Sequence, residues 1–326
     1  MDLDLRLVRY FVTVAEELHF GRAAARLYIS QPALSKQIRK LEQQVGGTLL
    51  ERDSRHVDLT VRGHRFLEEA RTLLALASSM QNDEETDVVR IAHVFELATS
   101  RIVADEFART HPDARLVERA LDSNGQLDAL LRGQLDVAIL RVTAQMLAEH
   151  PVGWHHRPLR LEPFSLVGRP GEAPRATASL YERPVHVFGD PPGSGSYNAH
   201  GEYLSAFERH SGLHLGWLGT PGAFSHCLAA LNRTAVPAFV LEFDSYASRY
   251  AAEGFPVHAP AELRPCYPWS LAWRHAEPDG ATAALLGVAS RVGAQQGWLD
   301  AGLVHDPPLW LPADDPVREA VDVPAG

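Results

Sequence analysis

The chain has 326 residues, 45% of them hydrophobic and 22% charged, a mixture that supplies buried cores for two or three domains and excludes wholesale disorder or a collagen-like repeat. Two cysteines, Cys227 and Cys266, are too few for a disulfide framework or a four-ligand zinc site, so two reduced thiols in a cytoplasmic protein are expected. Net charge is −10, but residues 1–65 carry eleven basic and eight acidic groups (+3), leaving −13 for the remainder, and the chain's two lysines, Lys36 and Lys40, both lie in that first stretch. A cationic head on an anionic body suits a local nucleic-acid-binding domain.

In chain order, residues 5–18 place Leu7, Phe11, Val14/Ala15 and Leu18 on one helical stripe. A short alanine-rich helix follows over Phe20–Leu27, and Tyr28-Ile29 make a turn. Ser30 is an N-cap signal and Pro32 suits a first turn; the helix they open buries Leu34, Ile38, Leu41 and Val45 and stops at Gly46-Gly47. These elements predict a helix-turn-helix. Leu49–Arg52 and Val57–Leu59 predict a hairpin wing. Thr60 caps a long helix to about Gln81, whose Phe66, Ala70, Leu73/Leu74, Ala77 and Met80 suit packing against a second copy. Residues 82–87, polar and acidic, read as a hinge.

From Val88 the pattern alternates strand and helix. Strands are expected at 88–92, 114–119, 135–140, 164–167, 185–188, 214–218, 235–241 and 269–273, with helices at about 99–110, 123–133, 196–210, 224–231 and 281–293. Such alternation predicts parallel sheet with right-handed crossovers. Residues 306–326, rich in Pro, Asp and Ala, read as a disordered tail. No apolar run approaches the roughly 18 residues of a membrane helix, and the mixed-charge N-terminus lacks an export plan, so a soluble cytoplasmic protein with no membrane partner is expected.

The outer face of the capped helix shows Gln31 at its leading end, then Ser35, Lys36 and Arg39. Glutamine can pair with adenine, lysine with guanine, and serine with either, while Arg39, a turn further on, suits phosphate. Arg52 and Arg55 border the wing, where arginine serves phosphate or the minor groove.

In the body, ligands of open parallel sheets sit beyond the C-terminal strand ends at helix N-termini. Thr99-Ser100, Ser123, Arg141 and the run Ser194-Gly195-Ser196-Tyr197 fall at such places, and hydroxyls with one arginine suit an organic anion such as a carboxylate. A hydrolase reading of Gly193-Ser194-Gly195-Ser196 fails on the Gly-x-Ser-x-Gly spacing. The adjacent His155-His156 lack metal-ligand spacing, and no Gly-x-Gly-x-x-Gly opens either half, so no metal, no cofactor and no enzyme activity is expected.

Residues 3–75 resemble the LysR-type transcriptional regulators. The likeness runs through Leu7-Val8-Arg9-Tyr10-Phe11-Val12-Thr13-Val14-Ala15-Glu16-Glu17, then Phe20-Gly21-Arg22-Ala23-Ala24, Leu27, Ile29-Ser30-Gln31-Pro32-Ala33-Leu34-Ser35-Lys36-Gln37-Ile38 and Leu41-Glu42. Leu49-Leu50-Glu51-Arg52 and Leu59-Thr60-Val61-Arg62-Gly63 match the wing and the start of the linker helix. Weaker echoes at 130–139 and 269–274 extend it to about residue 300.

That resemblance implies an α/β chain with an all-α-plus-wing N-terminal domain: a winged helix-turn-helix over 1–60, a dimerising linker helix over 61–82, a hinge at 83–87, and two Rossmann-like effector subdomains of periplasmic-binding-protein type. Subdomain I would take 88–163 with 269–305, and subdomain II 164–268. It also implies Gln31, Ser35 and Lys36 as base readers, with Pro32 and Ala33 able to touch a thymine methyl. The implied partners are a pseudo-palindromic DNA operator, further copies of the chain up to a homotetramer, a small-molecule effector and RNA polymerase. The competing readings are a two-lobed small-molecule receptor or an enzyme on the α/β body, without DNA regulation. Two positions depart from the family pattern: Leu231-Asn232-Arg233-Thr234-Ala235 stands where an Ala-Gly-Leu-Gly-like turn is common, and His93 where a small residue is usual.

Overall fold

The computed structural model describes residues 4–52, 57–81, 88–94, 97–195, 198–221, 223–233, 238–278, 280–300 and 307–321. The chain divides into two compact units, residues 1–85 with 131–134, and residues 86–130 with 135–326.

The first unit contains α1 (Leu5–Glu17), α2 (Phe20–Arg26), α3 (Gln31–Val45), β1 (Leu50–Arg52), β2 (Val57–Leu59) and α4 (Val61–Gln81). Side chains cap each of the first three helices: Asp4 accepts from the Arg6 amide, the His19 ring from Gly21 and Arg22, and Ser30 from Ala33. Gly46, at φ 70°, closes α3 in the left-handed conformation that glycine adopts without strain. Leu7, Phe11, Val14, Ala23, Leu34, Ile38 and Leu41 form one apolar core. Glu42 Oε1 accepts from the Leu49 and Leu50 amides at 3.0 and 3.2 Å and so fastens the wing to α3. The antiparallel pairing Leu50↔Leu59, Glu51↔Asp58, Arg52↔Val57 forms that wing. Thr60 opens α4, donating to the Thr48 carbonyl and accepting from the Gly63 amide, both at 2.9 Å.

The stripe of α4 read as a self-pairing seam is partly spent within the unit. Leu67 and Ala70 are buried in this core, and Phe66, Leu73 and Leu74 pack against it. Phe66 meets the Phe11 ring edge-on at 5.3 Å. The hinge positions 82–87 lie outside the described residues.

The second unit runs β3 (Val88–His93), α5 (Ala98–Thr110), β4 (Arg115–Ala120), α6 (Ser123–Leu131), β5 (Val137–Leu140), α7 (Ala144–Glu149), β6 (His155–Val167), β7 (Thr177–Ala178), β8 (Val185–Val187), α8 (Ala199–Ser211), β9 (Leu215–Trp217), α9 (Phe224–Arg233), β10 (Phe239–Phe243), α10 (Asp244–Ala252), β11 (Val257–Pro260), β12 (Arg264–Trp273), α11 (Gly280–Gln295), β13 (Leu309–Trp310) and α12 (Val317–Ala320). Eight strands follow one path, β4-β3-β5-β12-β6-β10-β8-β9, while β11 pairs with β6 and β7, and β13 with β12, off that path. Its ends are parallel (β4-β3-β5 and β10-β8-β9), and its middle is antiparallel. β6 pairs with β12 through Pro163 and with β10 from Phe164 onward, so a single strand passes from one half-sheet to the other.

Several boundaries differ from those expected. β6 begins at His155 and β12 at Arg264, far earlier than the periodicity suggested. Both contain prolines, Pro158 and Pro163 in one and Pro265 and Pro268 in the other, and Pro158 and Pro268 lie beside a register shift between Trp269 and Ser270. Helix α8 begins at Ala199, three residues late, because Asn198 is its cap. Helices α7 and α10 were not anticipated; α10 follows β10 directly and has no side-chain cap to announce it.

The disordered-tail reading of 306–326 does not hold for the described part, 307–321. There β13 pairs in parallel with β12, and Leu311, Val317 and Val321 bury themselves with Leu161 and Cys266. Four well-spaced apolar side chains, Trp310 among them, outweigh the Pro and Asp content of this stretch.

Candidate DNA-reading helix and effector cleft

On α3 the buried face is Leu34, Ile38 and Leu41, and the opposite face is Gln31, Pro32, Ala33, Lys36, Arg39 and Lys40, all exposed, with Ser35 half-buried beside them. Ser30 and Pro32 fix the N-terminal turn that presents Gln31. Elsewhere in this unit several basic groups are engaged: Arg6 with Asp4, Arg22 with Glu17, Arg26 with Glu16 and Glu17. The Arg62 guanidinium donates to the Val45 carbonyl at the end of α3, where a cation suits the helix dipole. Among the described residues Lys36, Arg39 and Lys40 have no ion-pair partner, so the uncompensated cationic charge of the helix lies on its outer face. Tyr28, in the turn before α3, is 95% exposed at φ 55°, and only its role in the turn was legible in the sequence. In the wing Arg52 is the last residue of β1, while Arg55 lies outside the described residues.

The second unit gathers polar groups where the N-termini of α6 and α8 meet. Asp122 caps α6, its Oδ1 accepting from the Gly125 amide at 2.7 Å, which leaves the Ser123 hydroxyl free to accept from the Arg141 amide at 3.0 Å. The Asn198 side chain caps α8 and its Nδ2 donates to Asp122 Oδ2 at 3.4 Å; the Ala199 amide donates to Asn124 Oδ1 at 3.2 Å. Arg141, just past β5, is 1% exposed. Its Nη1 donates to the Ala199 carbonyl at 2.8 Å, and its Nε and Nη2 to Asp315 Oδ2 at 3.3 and 3.0 Å. The guanidinium also lies 5.5 Å from the centre of the Tyr203 ring. Burial works against its charge, but Asp315 and Glu202 more than offset this and hold its pKa above the ordinary value. Beside it, burial pushes the His200 imidazole down to about 4, and its Nε2 hydrogen-bonds the Phe188 carbonyl at 3.0 Å.

Residues 5–64 match the description "Bacterial regulatory helix-turn-helix protein, lysR family". The HTH-type transcriptional regulator YnfL of Escherichia coli is 39% identical over 210 residues, 61% of this chain and 70% of that protein. The chain belongs to the LysR family. Another relative of this regulator, AlsR of Bacillus subtilis, is 36% identical over 156 residues, 45% of this chain and 52% of its own. Two solved structures share the fold: full-length OxyR from Pseudomonas aeruginosa (TM-score 0.59, 19% identity, 90% of this chain and 95% of that one) and CbnR, a LysR family transcriptional regulator (TM-score 0.56, 22% identity, 89% and 99%). The architecture of a helix-turn-helix head and an α/β body is therefore that of full-length LysR regulators.

Six of the eight positions expected to hold an effector fall among the described residues. Ser123 and Arg141 are in direct contact, but no hydrogen bond among the described residues joins them to Thr99 or Ser100. Thr99 is buried and accepts from Arg160 Nη1 at 2.9 Å; Ser100 donates to the Leu97 carbonyl at 2.7 Å. Ser100 instead lines a cavity of about 570 Å³ with His93, Glu118, Ser245 and Arg249. His93, the departure from the family pattern, closes one side of it by bonding Glu118 Oε2 at 3.1 Å. Ser194 and Gly195 lie in a turn before α8, and Ser196 and Tyr197 fall outside the described residues. Arg141, expected to face an anionic ligand, is paired with Asp315 of the chain itself. Asp315, Asn198 and Asp122 were missed: the first lay in a stretch read as disordered, the other two were overshadowed by neighbouring serines.

Proposed function

We propose that this regulator binds duplex DNA as a dimer, reading a near-palindromic operator through α3, and that its α/β body tunes that binding through a small-molecule effector, with an organic anion as the candidate class. The observation that carries the reading is the outer face of α3: Gln31, Lys36 and Arg39 exposed, without ionic partners among the described residues, on a helix whose inner face is locked in an apolar core. An enzyme or a plain two-lobed receptor would not require that face. Gln31, Ser35 and Lys36 take base edges, Pro32 and Ala33 offer apolar contact to a thymine methyl, Arg39 takes phosphate, and Arg52 and Arg55 take phosphate or the minor groove. Two such heads fit half-sites about one helical turn apart. Pairing through the outer part of α4, assembly of two dimers into a tetramer, and contact with RNA polymerase complete the reading.

Gel-shift titration on a selected operator tests it. Gln31→Ala and Lys36→Ala each weaken specific binding roughly 10- to 100-fold and relax preference at one base position. Arg39→Ala weakens binding to all duplexes alike and lowers the salt slope by about one. Unchanged specificity in both Gln31→Ala and Lys36→Ala contradicts the assignment.

A further inference from the structure

The guanidinium best placed to hold an anion in the second unit is already filled from within the chain. Asp315 places its carboxylate against Arg141 Nε and Nη2, while its other oxygen accepts the Val317 amide at 3.1 Å. Its side chain is fully buried, and that of Arg141 is 2% exposed. The segment is held on both sides of this residue. Before it, Trp310 packs against the rings of Tyr203 and Phe207 at 5.3 and 5.2 Å, and the Pro308 carbonyl accepts from the Arg264 amide at 2.9 Å. After it, Val317 and Val321 are buried beside Leu161 and Cys266. Such anchoring presents one carboxylate to one cation at an effective concentration of millimolar or above. Glu202 Oε1 lies only 3.7 Å from Arg141 Nη1, so a second anion entering from solvent would meet a site whose positive charge is already spent.

We propose that residues 307–321 act as a tethered ligand: Asp315 occupies a carboxylate-binding seat formed by Arg141, with the α8 N-terminus beside it, and a free organic carboxylate gains that seat only by displacing Asp315. The proposal rests on the reading of Arg141 as an effector-binding residue and names its ligand chemistry and its resident occupant. It accounts for an arginine that is completely buried yet surrounded by polar groups from two helix N-termini and the distant end of the chain.

Acetate is the probe, titrated calorimetrically into the full-length wild-type, Asp315→Ala and Asp315→Ser proteins and into an Arg141→Ala/Asp315→Ala pair, with chloride and acetamide as controls. Serine keeps an acceptor for the Val317 amide and covers the case in which Asp315→Ala does not fold. The expected result is acetate binding to the single variants with a Kd on the order of 1 mM, at least tenfold tighter than to wild type and absent in the double variant. Acetate should also recover several degrees of the Tm that the single variants lose. Equal binding to wild type, or no carboxylate-selective binding in either single variant, overturns the proposal. Since this readout uses no DNA, it stands apart from the operator-binding test of the function.

Discussion

Glu242 is 8% exposed in β10, where its Oε1 accepts from the Phe243 amide at 2.9 Å and its Oε2 from the Tyr250 hydroxyl at 3.1 Å. Burial, more than either hydrogen bond, sets its acidity, pushing the carboxyl up from 4.5 to about 7. Between those values the folded chain keeps a proton that the unfolded chain has lost, so this group's contribution to stability falls as pH rises from 4.5 to 7. Replacing it with glutamine removes that slope. Glu242→Gln should match wild type near pH 4.5 and exceed it by about 3 kcal/mol at pH 8, in denaturant titrations of the second unit. A pH-independent difference would mean the carboxyl is ionised throughout. His200 works the other way, losing stability as pH falls from 6.5 toward 4, so the comparison between variants, not the wild-type curve alone, isolates Glu242. At this scale the residues of α3 were legible, because their spacing and cap are local. Asp315 was not: its partner lies 174 residues away, and no local pattern encodes such a pair.

Among the elements, the junction of wing and long helix leaves almost no room. A Cβ on Gly63 would lie 2.0 Å from the Leu49 carbonyl oxygen, a backbone atom that cannot swing aside. The Leu49 carbonyl also accepts from the Thr60 amide at 3.0 Å, so the close approach is fixed by the turn that starts α4. Gly63→Ala should force the wing off the helix and lower the Tm of the first unit by at least 5 °C, a shift of the size that follows an overpacked core. A neutral substitution would show that the junction can spread at little cost. The pattern Leu59-Thr60-x-x-Gly63 was visible in the sequence, and the geometry supplies its reason. Helices with caps and strands with clean alternation were legible in the same way. Proline hid the true lengths of β6 and β12, since a strand that tolerates Pro158 or Pro268 does so through its neighbours.

For the whole molecule, charge asymmetry carried the most information. A net +3 over residues 1–65 on a chain of −10 marks the head as the part that meets a polyanion. Association with duplex DNA should accordingly be steep in salt, each neutralised phosphate contributing a slope of about −0.9. The α4 stripe is partly committed to the head, since Leu67 and Ala70 complete its core. Arg141 stood out in the sequence as a lone cation after a strand, but its pairing with Asp315 became visible only in three dimensions.

Selection of bound fragments from random duplex DNA by the full-length protein tests the central claim most directly. The account predicts recovery of a near-palindrome with half-sites about one helical turn apart, bound in a salt-sensitive manner and lost when Gln31 and Lys36 are both replaced by alanine. Recovery of no preferred sequence, or of the same sequence by that double variant, would contradict it.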